Sequence, residues 1–272
     1  MKKRIGLVTC ARLPELNEAD QVLLPTFEKL GWEAQPVIWD DPKVNWDSWD
    51  ALLIRNTWDY YTKADAFRTW LSQIKTPIWN SASLVQWNFH KFYLKELQDN
   101  GVSIIPTLFW DSQTPHLDIP WEQVVLKPAI SAGSYQTQRV LAQDLVWPTQ
   151  GEWLIQPFLP EIQQTGEYSM IFFGDQFSHG VRKKPVEGDF RVQRQYGGQY
   201  ELFEPDQSQM AAAKRALKAV PSDFLYARVD GVMVSGAFWL MEIELIEPDL
   251  YFEFDPNIAH RLVQALAQKI EN

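Results

Sequence analysis

The segment Arg228-Val229-Asp230-Gly231-Val232-Met233-Val234-Ser235-Gly236-Ala237-Phe238-Trp239-Leu240-Met241-Glu242-Ile243-Glu244 reads as two strands joined at a turn. Extended residues two apart share a face, so Glu242 and Glu244 point one way and Met241 and Ile243 the other. Arg228 and Asp230 share a face by the same rule, and Ser235-Gly236 supplies the turn of a hairpin. A regular two-residue loop would set Asp230 opposite Met241, on the wrong face. A three-residue loop or a bulge sets it opposite position 240 or 242 and gathers three carboxylates. Such a cluster suits a hard cation with oxygen ligands, above all Mg2+ bridging phosphates. An alternating acidic strand facing solvent at a sheet edge carries the same pattern.

Working outward, two lysines stand at element ends. Lys127 follows the apolar run Val124-Val125-Leu126, and the small residues Ser131-Ala132-Gly133-Ser134 after it let backbone N–H groups approach an anion. Lys91 lies in Asn88-Phe89-His90-Lys91, near the start of a helix. Taken singly, each also reads as a solvated lysine. Walker A and G-x-G-x-x-G patterns are missing, which removes two common nucleotide-binding readings. Ile155-Gln156-Pro157-Phe158-Leu159-Pro160 is an extended stretch stiffened by proline, suited to offering backbone groups to a flat ring. Glu167 beyond it can accept hydrogen bonds from ribose hydroxyls or sit exposed in a hairpin. Arg182-Lys183-Lys184-Pro185, Asp189-Phe190-Arg191 and Tyr196-Gly197-Gly198 form a basic segment that suits a transferring phosphoryl group or a solvated turn.

The first part of the chain alternates strand and helix: strands over 5–9, 34–39 and 51–54, helices over 21–30 and 62–74. That order predicts a small, mostly parallel sheet. From about residue 79 short strands dominate, broken by a helix ending at Gly101, one over 208–220 and a last one opened by Asp255-Pro256. We expect an α/β fold, α+β in its later parts, with lobes over 1–80, 81–152 and 153–272.

A net charge of -10 over 272 residues argues against nonspecific nucleic-acid or anionic-membrane binding. One cysteine, Cys10, cannot form an intramolecular disulfide, and with no span of apolar residues this points to the cytoplasm. The four histidines are scattered without zinc-like spacing.

In this order the elements resemble the ATP-grasp superfamily, in particular its glutathione synthetase-like members and the cyclo-ligase type of D-cycloserine biosynthesis, which closes O-ureidoserine into a ring. The resemblance runs from about Ile5 to the end and is densest from Leu126 to Pro248. It implies a small parallel-sheet N-terminal lobe and two sheet-bearing lobes clasping ATP. It implies ATP contacts from Lys91, Lys127, Ser134, Gln156, Phe158, Leu159 and Glu167, and Mg2+ ligands at Asp230, Glu242 and Glu244. Gly188-Asp189-Phe190-Arg191 resembles the segment whose arginine meets the reacting groups, so Arg191 and Arg228 are the implied catalytic cations. Arg55-Asn56-Thr57-Trp58-Asp59-Tyr60, at a strand end of the first lobe, and Glu244-Leu245-Ile246-Glu247-Pro248 resemble the cycloserine-type group. Arg55, Trp58, Asp59, Tyr60, Lys183 and Gly198 are the expected substrate contacts. Two departures stand out: the loop after Lys127 has one glycine where many relatives have several, and Glu244 stands where many carry Asn.

The implied activity is an ATP-dependent C–N ligase acting on a small amino-acid-like molecule, with Mg2+ and without nucleic-acid or membrane partners; homo-oligomerisation stays open. A small-molecule kinase of the same fold and a noncatalytic nucleotide sensor are the alternatives.

Overall fold

A computed structural model describes residues 2–186, 188–189 and 191–271. Three sheets follow one another along the chain. The first is built from β1 (Arg4–Thr9), α1 (Leu23–Lys29), β2 (Glu33–Ile38), β3 (Ala51–Asn56), α2 (Ala64–Gln73) and β4 (Ile78–Trp79), in strand order β2-β1-β3-β4 and parallel throughout. All six residues of β3 are buried, as expected of a parallel strand covered on both faces. The parallel first lobe expected from the sequence is borne out.

Two short helices, α3 (Ala82–Asn88) and α4 (Tyr93–Asp99), lead to a second, antiparallel sheet. Its strands are β5 (Leu108–Asp111), β6 (Gln123–Pro128), β7 (Gln138–Leu141) and β8 (Glu152–Pro157), in the order β5-β8-β6-β7. The expected lobe boundary at 152/153 runs through β8, whose partners β5 and β6 both belong to this sheet. Of the two helices, only the one ending at Gly101 is expected from the sequence; α3 is seven residues long, with Ser81 as its N-cap.

After α5 (Glu161–Gln164) comes the third sheet: β9 (Glu167–Phe173), β10 (Gln176–Lys184), β11 (Gln199–Phe203), then α6 (Gln207–Lys218), β12 (Tyr226–Val234) and β13 (Ala237–Glu244). Its order is β11-β10-β9-β12-β13, antiparallel throughout. Strand alternation divides its side chains. Met170, Phe172, Ala227, Val229 and Ile243 pack with α4 and α6. Ile171, Phe173, Val181 and Tyr226 turn the other way, to meet the first lobe and the C-terminal helix α7 (Asn257–Glu271). Toward one end, the second of these faces becomes polar.

Candidate active site

That polar face is set by period and register alone. Glu167 and Ser169 follow the parity of Ile171 on β9, Lys183 that of Val181 on β10, and Arg228 and Asp230 that of Tyr226 on β12. Cross-strand pairing puts Lys183 opposite Glu167, Asp230 opposite both Ser169 and Glu242, and Arg228 opposite Glu244. The β12–β13 turn has two residues, Ser235 and Gly236, both at positive φ. The ladder then shifts by one residue between Asp230 and Gly231, where Met241 is the extra residue on β13. The bulge alternative of the parity argument is the one the structure adopts. Oxygens of Asp230, Glu242 and Glu244 come within 4.8 Å of one another.

Cations interleave with these acids. Lys91 Nζ donates to Glu242 at 2.6 Å. Arg228 donates to Asp230 at 2.8 Å and to Glu244 at 2.5 Å. Lys183 pairs with Glu167 and lies 3.6 Å from Asp230, which also accepts from the Ser169 hydroxyl. Burial alone would raise Glu242, yet Lys91 and Lys127 hold it far below the usual carboxylate range. Burial raises Glu244 well above that range, helped by Glu242 and Asp230, in spite of Arg228. Burial also lowers Lys127, to about 8.

One cavity of about 510 Å³ lies over this face. Lys91, Lys127, Ser134, Gln156, Phe158, Leu159, Glu167, Lys183, Arg191, Arg228, Glu242 and Glu244 line it, as do Trp58 and Tyr60 from the first lobe. Asp230 is fully buried behind Arg228 and Lys183. Three carboxylates in reach of one point, two of them on the cavity wall, form a hard oxygen set that fits a divalent cation such as Mg2+. Arg191 ion-pairs with Asp189 at 2.8 Å and stacks on Tyr196; Phe190 of the same motif lies outside the described residues.

Three expected substrate contacts have other work. Arg55 is fully buried and reaches Asp20 on one side and the Pro248 carbonyl, at 2.9 Å, on the other. Asp59 is buried and accepts from Trp39 Nε1 at 2.9 Å and from Lys63 at 3.0 Å. Gly198 is small because a Cβ there would stand 1.8 Å from the Val192 carbonyl oxygen. None of the three lines the cavity. The sequence reading missed Ile105, Ile162 and Met241, an apolar group around Leu159 on the cavity wall, and Val125, which lines the same cavity. It also missed Asn88 and Tyr93, whose side chains bind the backbone of β13.

Residues 5–80 match the family model described as D-cycloserine synthetase DcsG, N-terminal domain. The cycloserine biosynthesis protein DcsG of Streptomyces lavendulae is 25% identical over 296 residues, covering 98% of this chain and 99% of that one. The crystal structure of D-cycloserine synthetase DcsG superposes with a TM-score of 0.86 at 24% identity, covering 98% of this chain and 99% of that one. D-alanine–D-alanine ligase from Bacillus anthracis, complexed with ATP, superposes with a TM-score of 0.69 at 15% identity over 99% and 97% of the two chains. The chain thus has the fold of ATP-grasp ligases and is similar over nearly its whole length to D-cycloserine synthetase DcsG.

Proposed function

We propose that this chain is an ATP-dependent C–N ligase for a small amino-acid-like substrate, working in the cytoplasm with Mg2+. The observation that carries the reading is the single polar sheet face. It gathers Lys183, Arg228 and the clustered Asp230, Glu242 and Glu244 under one cavity, which Lys91 and Lys127 also line and which has an apolar slot at Leu159. The slot and the Gln156–Leu159 stretch suit the adenine ring, and Glu167 the ribose. Lys91 and Lys127 suit the polyphosphate, where each placed cation neutralises charge in a site screened from water. Asp230, Glu242 and Glu244 would hold Mg2+, which when bound supplies further charge neutralisation along the phosphates.

In this reading a carboxylate-like oxygen of the substrate attacks the γ-phosphorus, the bond to the β-phosphate oxygen breaks, and ADP departs. An amine-type nitrogen then attacks the activated carbon, the carbon–oxygen bond to phosphate breaks, and the nitrogen gives up a proton. Arg228, and Arg191 from the segment across the cavity, stabilise the negative charge that develops on oxygen in both steps.

Release of ADP and phosphate on adding amino-acid-like substrates to protein and Mg-ATP tests the proposal. Nucleotide binding without ADP release across such a panel would overturn it, and a stable phosphorylated product would favour the kinase alternative. Glu242→Gln separates catalysis from sensing: an enzyme loses turnover, whereas a sensor changes only in affinity.

A further inference from the structure

We propose that Glu247 and Arg12 bind the two ends of a zwitterionic amino acid, Glu247 its ammonium and Arg12 its carboxylate. The assignment rests on the ligase reading above and names the residues that select the substrate within that cavity.

Glu247 lines the cavity and is only 7% exposed. Among the described residues its carboxylate has no ion pair, and the one hydrogen bond that bears on it comes from its own backbone N–H. The other glutamates on the wall are all matched: Glu167 by Lys183, Glu242 by Lys91 and Glu244 by Arg228. Taking a carboxylate out of water without a partner is costly, and such groups are retained where something arrives to pair with them. Burial accordingly pushes Glu247 up to about 8, although Lys91, Arg228 and Arg55 pull the other way from a distance. Lys91 and Arg228 are already committed to other acids, so the missing cation comes from the ligand.

The backbone around Glu247 is fixed from both sides. Trp58 Nε1 donates to the Glu247 carbonyl at 3.0 Å, and Arg55 donates to the next carbonyl, that of Pro248. The same Trp58 accepts, at its own carbonyl, from Arg12 Nη2 at 2.7 Å. Arg12, Trp58 and Glu247 therefore adjoin through these two backbone carbonyls, and all three line the cavity. Arg12 has no carboxylate partner among the described residues, and its remaining N–H groups suit the bidentate geometry of a carboxylate. Opposite charges on residues that Trp58 links, lining one cavity, match an amino acid with both groups unmodified. A peptide N-terminus would satisfy Glu247 and leave Arg12 without a ligand.

The test is calorimetric titration in the presence of Mg2+ and a non-hydrolysable ATP analogue. The probes are D- and L-alanine, serine, 2,3-diaminopropionate and serine ethers bearing carbamoyl or ureido groups, each beside its N-acetyl and carboxamide derivatives. We expect the tightest free amino acid to weaken about 30-fold or more on either modification. In Glu247→Gln the penalty for N-acetylation disappears; in Arg12→Met the penalty for amidation disappears. Unchanged analogue affinity and unfolding midpoint show that the variants fold, and Glu247→Asp serves where Glu247→Gln does not. Wild-type discrimination persisting in either variant, or failure of every free amino acid to bind, overturns the assignment. ADP release followed in parallel separates the two proposals. Binding that needs both residues but gives no ADP sinks the ligase reading alone. Turnover of a substrate lacking an ammonium group sinks this assignment alone.

Discussion

Lys91 Nζ lies 2.6 Å from a Glu242 oxygen across 151 residues of chain, and the two residues flanking that lysine are what bring it there. β13 is an edge strand, so its outer backbone groups need partners. Asn88 donates to the Ile243 carbonyl and accepts from Leu245 N–H, at 2.8 and 2.9 Å. The Tyr93 hydroxyl donates to the same carbonyl at 2.9 Å and accepts from Ile243 N–H at 2.8 Å. The turn between α3 and α4 thus docks onto the strand that carries Glu242 and Glu244, much as another strand would, and Lys91 rides on it.

Tyr93→Phe leaves the buried Ile243 N–H without an acceptor and is expected to cost about 1–3 kcal/mol. It also loosens the lysine against Glu242, so the KM for ATP should rise. Urea unfolding gives the first quantity and steady-state kinetics the second. A wild-type urea midpoint would show that the tyrosine is not needed to cap the edge.

With Lys127 against the polyphosphate, as proposed above, nucleotide affinity should depend on pH. Burial brings its amine to about 8, and a bound polyphosphate favours the ammonium form, so the bound-state value lies higher. Affinity for Mg-ATP is therefore level below pH 8 and falls above it by up to about tenfold per unit, one proton being taken up on binding. Titrations from pH 6.5 to 9.5 should show the break near 8 in the wild type and none in Lys127→Arg, whose charge does not titrate in this range.

How much of this is visible in the sequence depends on the range of the interaction. The acidic strand, the parallel first lobe and the helix ends follow from local periodicity and capping, which operate within a few residues. The bulge at Met241 is visible only as a parity requirement: alternation says that something must shift the ladder, without saying whether the turn or the strand does so. Arg55 and Gly198 show where such reasoning stops. A strand-end arginine beside aromatic residues has the composition of a ligand pocket, but its partners are Asp20 and Pro248, 35 and 193 residues away. Gly198 is dictated by the closeness of the Val192 carbonyl, which no pattern of residue types records. Tyr93 reads as a core aromatic, since only the three-dimensional edge of β13 gives its hydroxyl a purpose.

His179 makes stability fall on the acid side. Its Nε2 donates to the Leu250 carbonyl at 3.1 Å and Nδ1 accepts from the Ser178 hydroxyl at 2.9 Å, while Arg261 donates to that same hydroxyl. Burial, with Arg261 nearby, lowers its value from 6.5 to about 4. Between those values the unfolded chain binds the extra proton, so this contribution is complete above pH 6.5 and is lost as pH falls toward 4. The total is on the order of 3 kcal/mol. Urea unfolding of His179→Gln across pH 4–7 should show a dependence shallower by about one proton than in the wild type. Equal slopes would mean that the histidine protonates without opposing the fold.

Arg55 joins the first lobe to the segment that follows β13, and its removal should act on stability and on substrate binding by separate routes. Arg55→Met leaves Asp20 as a buried acid retaining only its bond from Asn56, at 2.6 Å. Breaking a buried pair from one side costs about 3–5 kcal/mol, because the remaining charge stays desolvated. Adding Asp20→Asn removes that charge, so the double variant should recover most of the lost stability, a coupling measurable by urea unfolding of the four proteins in the cycle. The Pro248 carbonyl has lost its donor in both variants, however, and Glu247 precedes it directly. The double variant should therefore unfold near the wild-type midpoint and still bind the amino-acid substrate more weakly, with ATP affinity unchanged. Recovery of both properties together would show that Arg55 serves the fold alone and leaves the placing of Glu247 to Trp58.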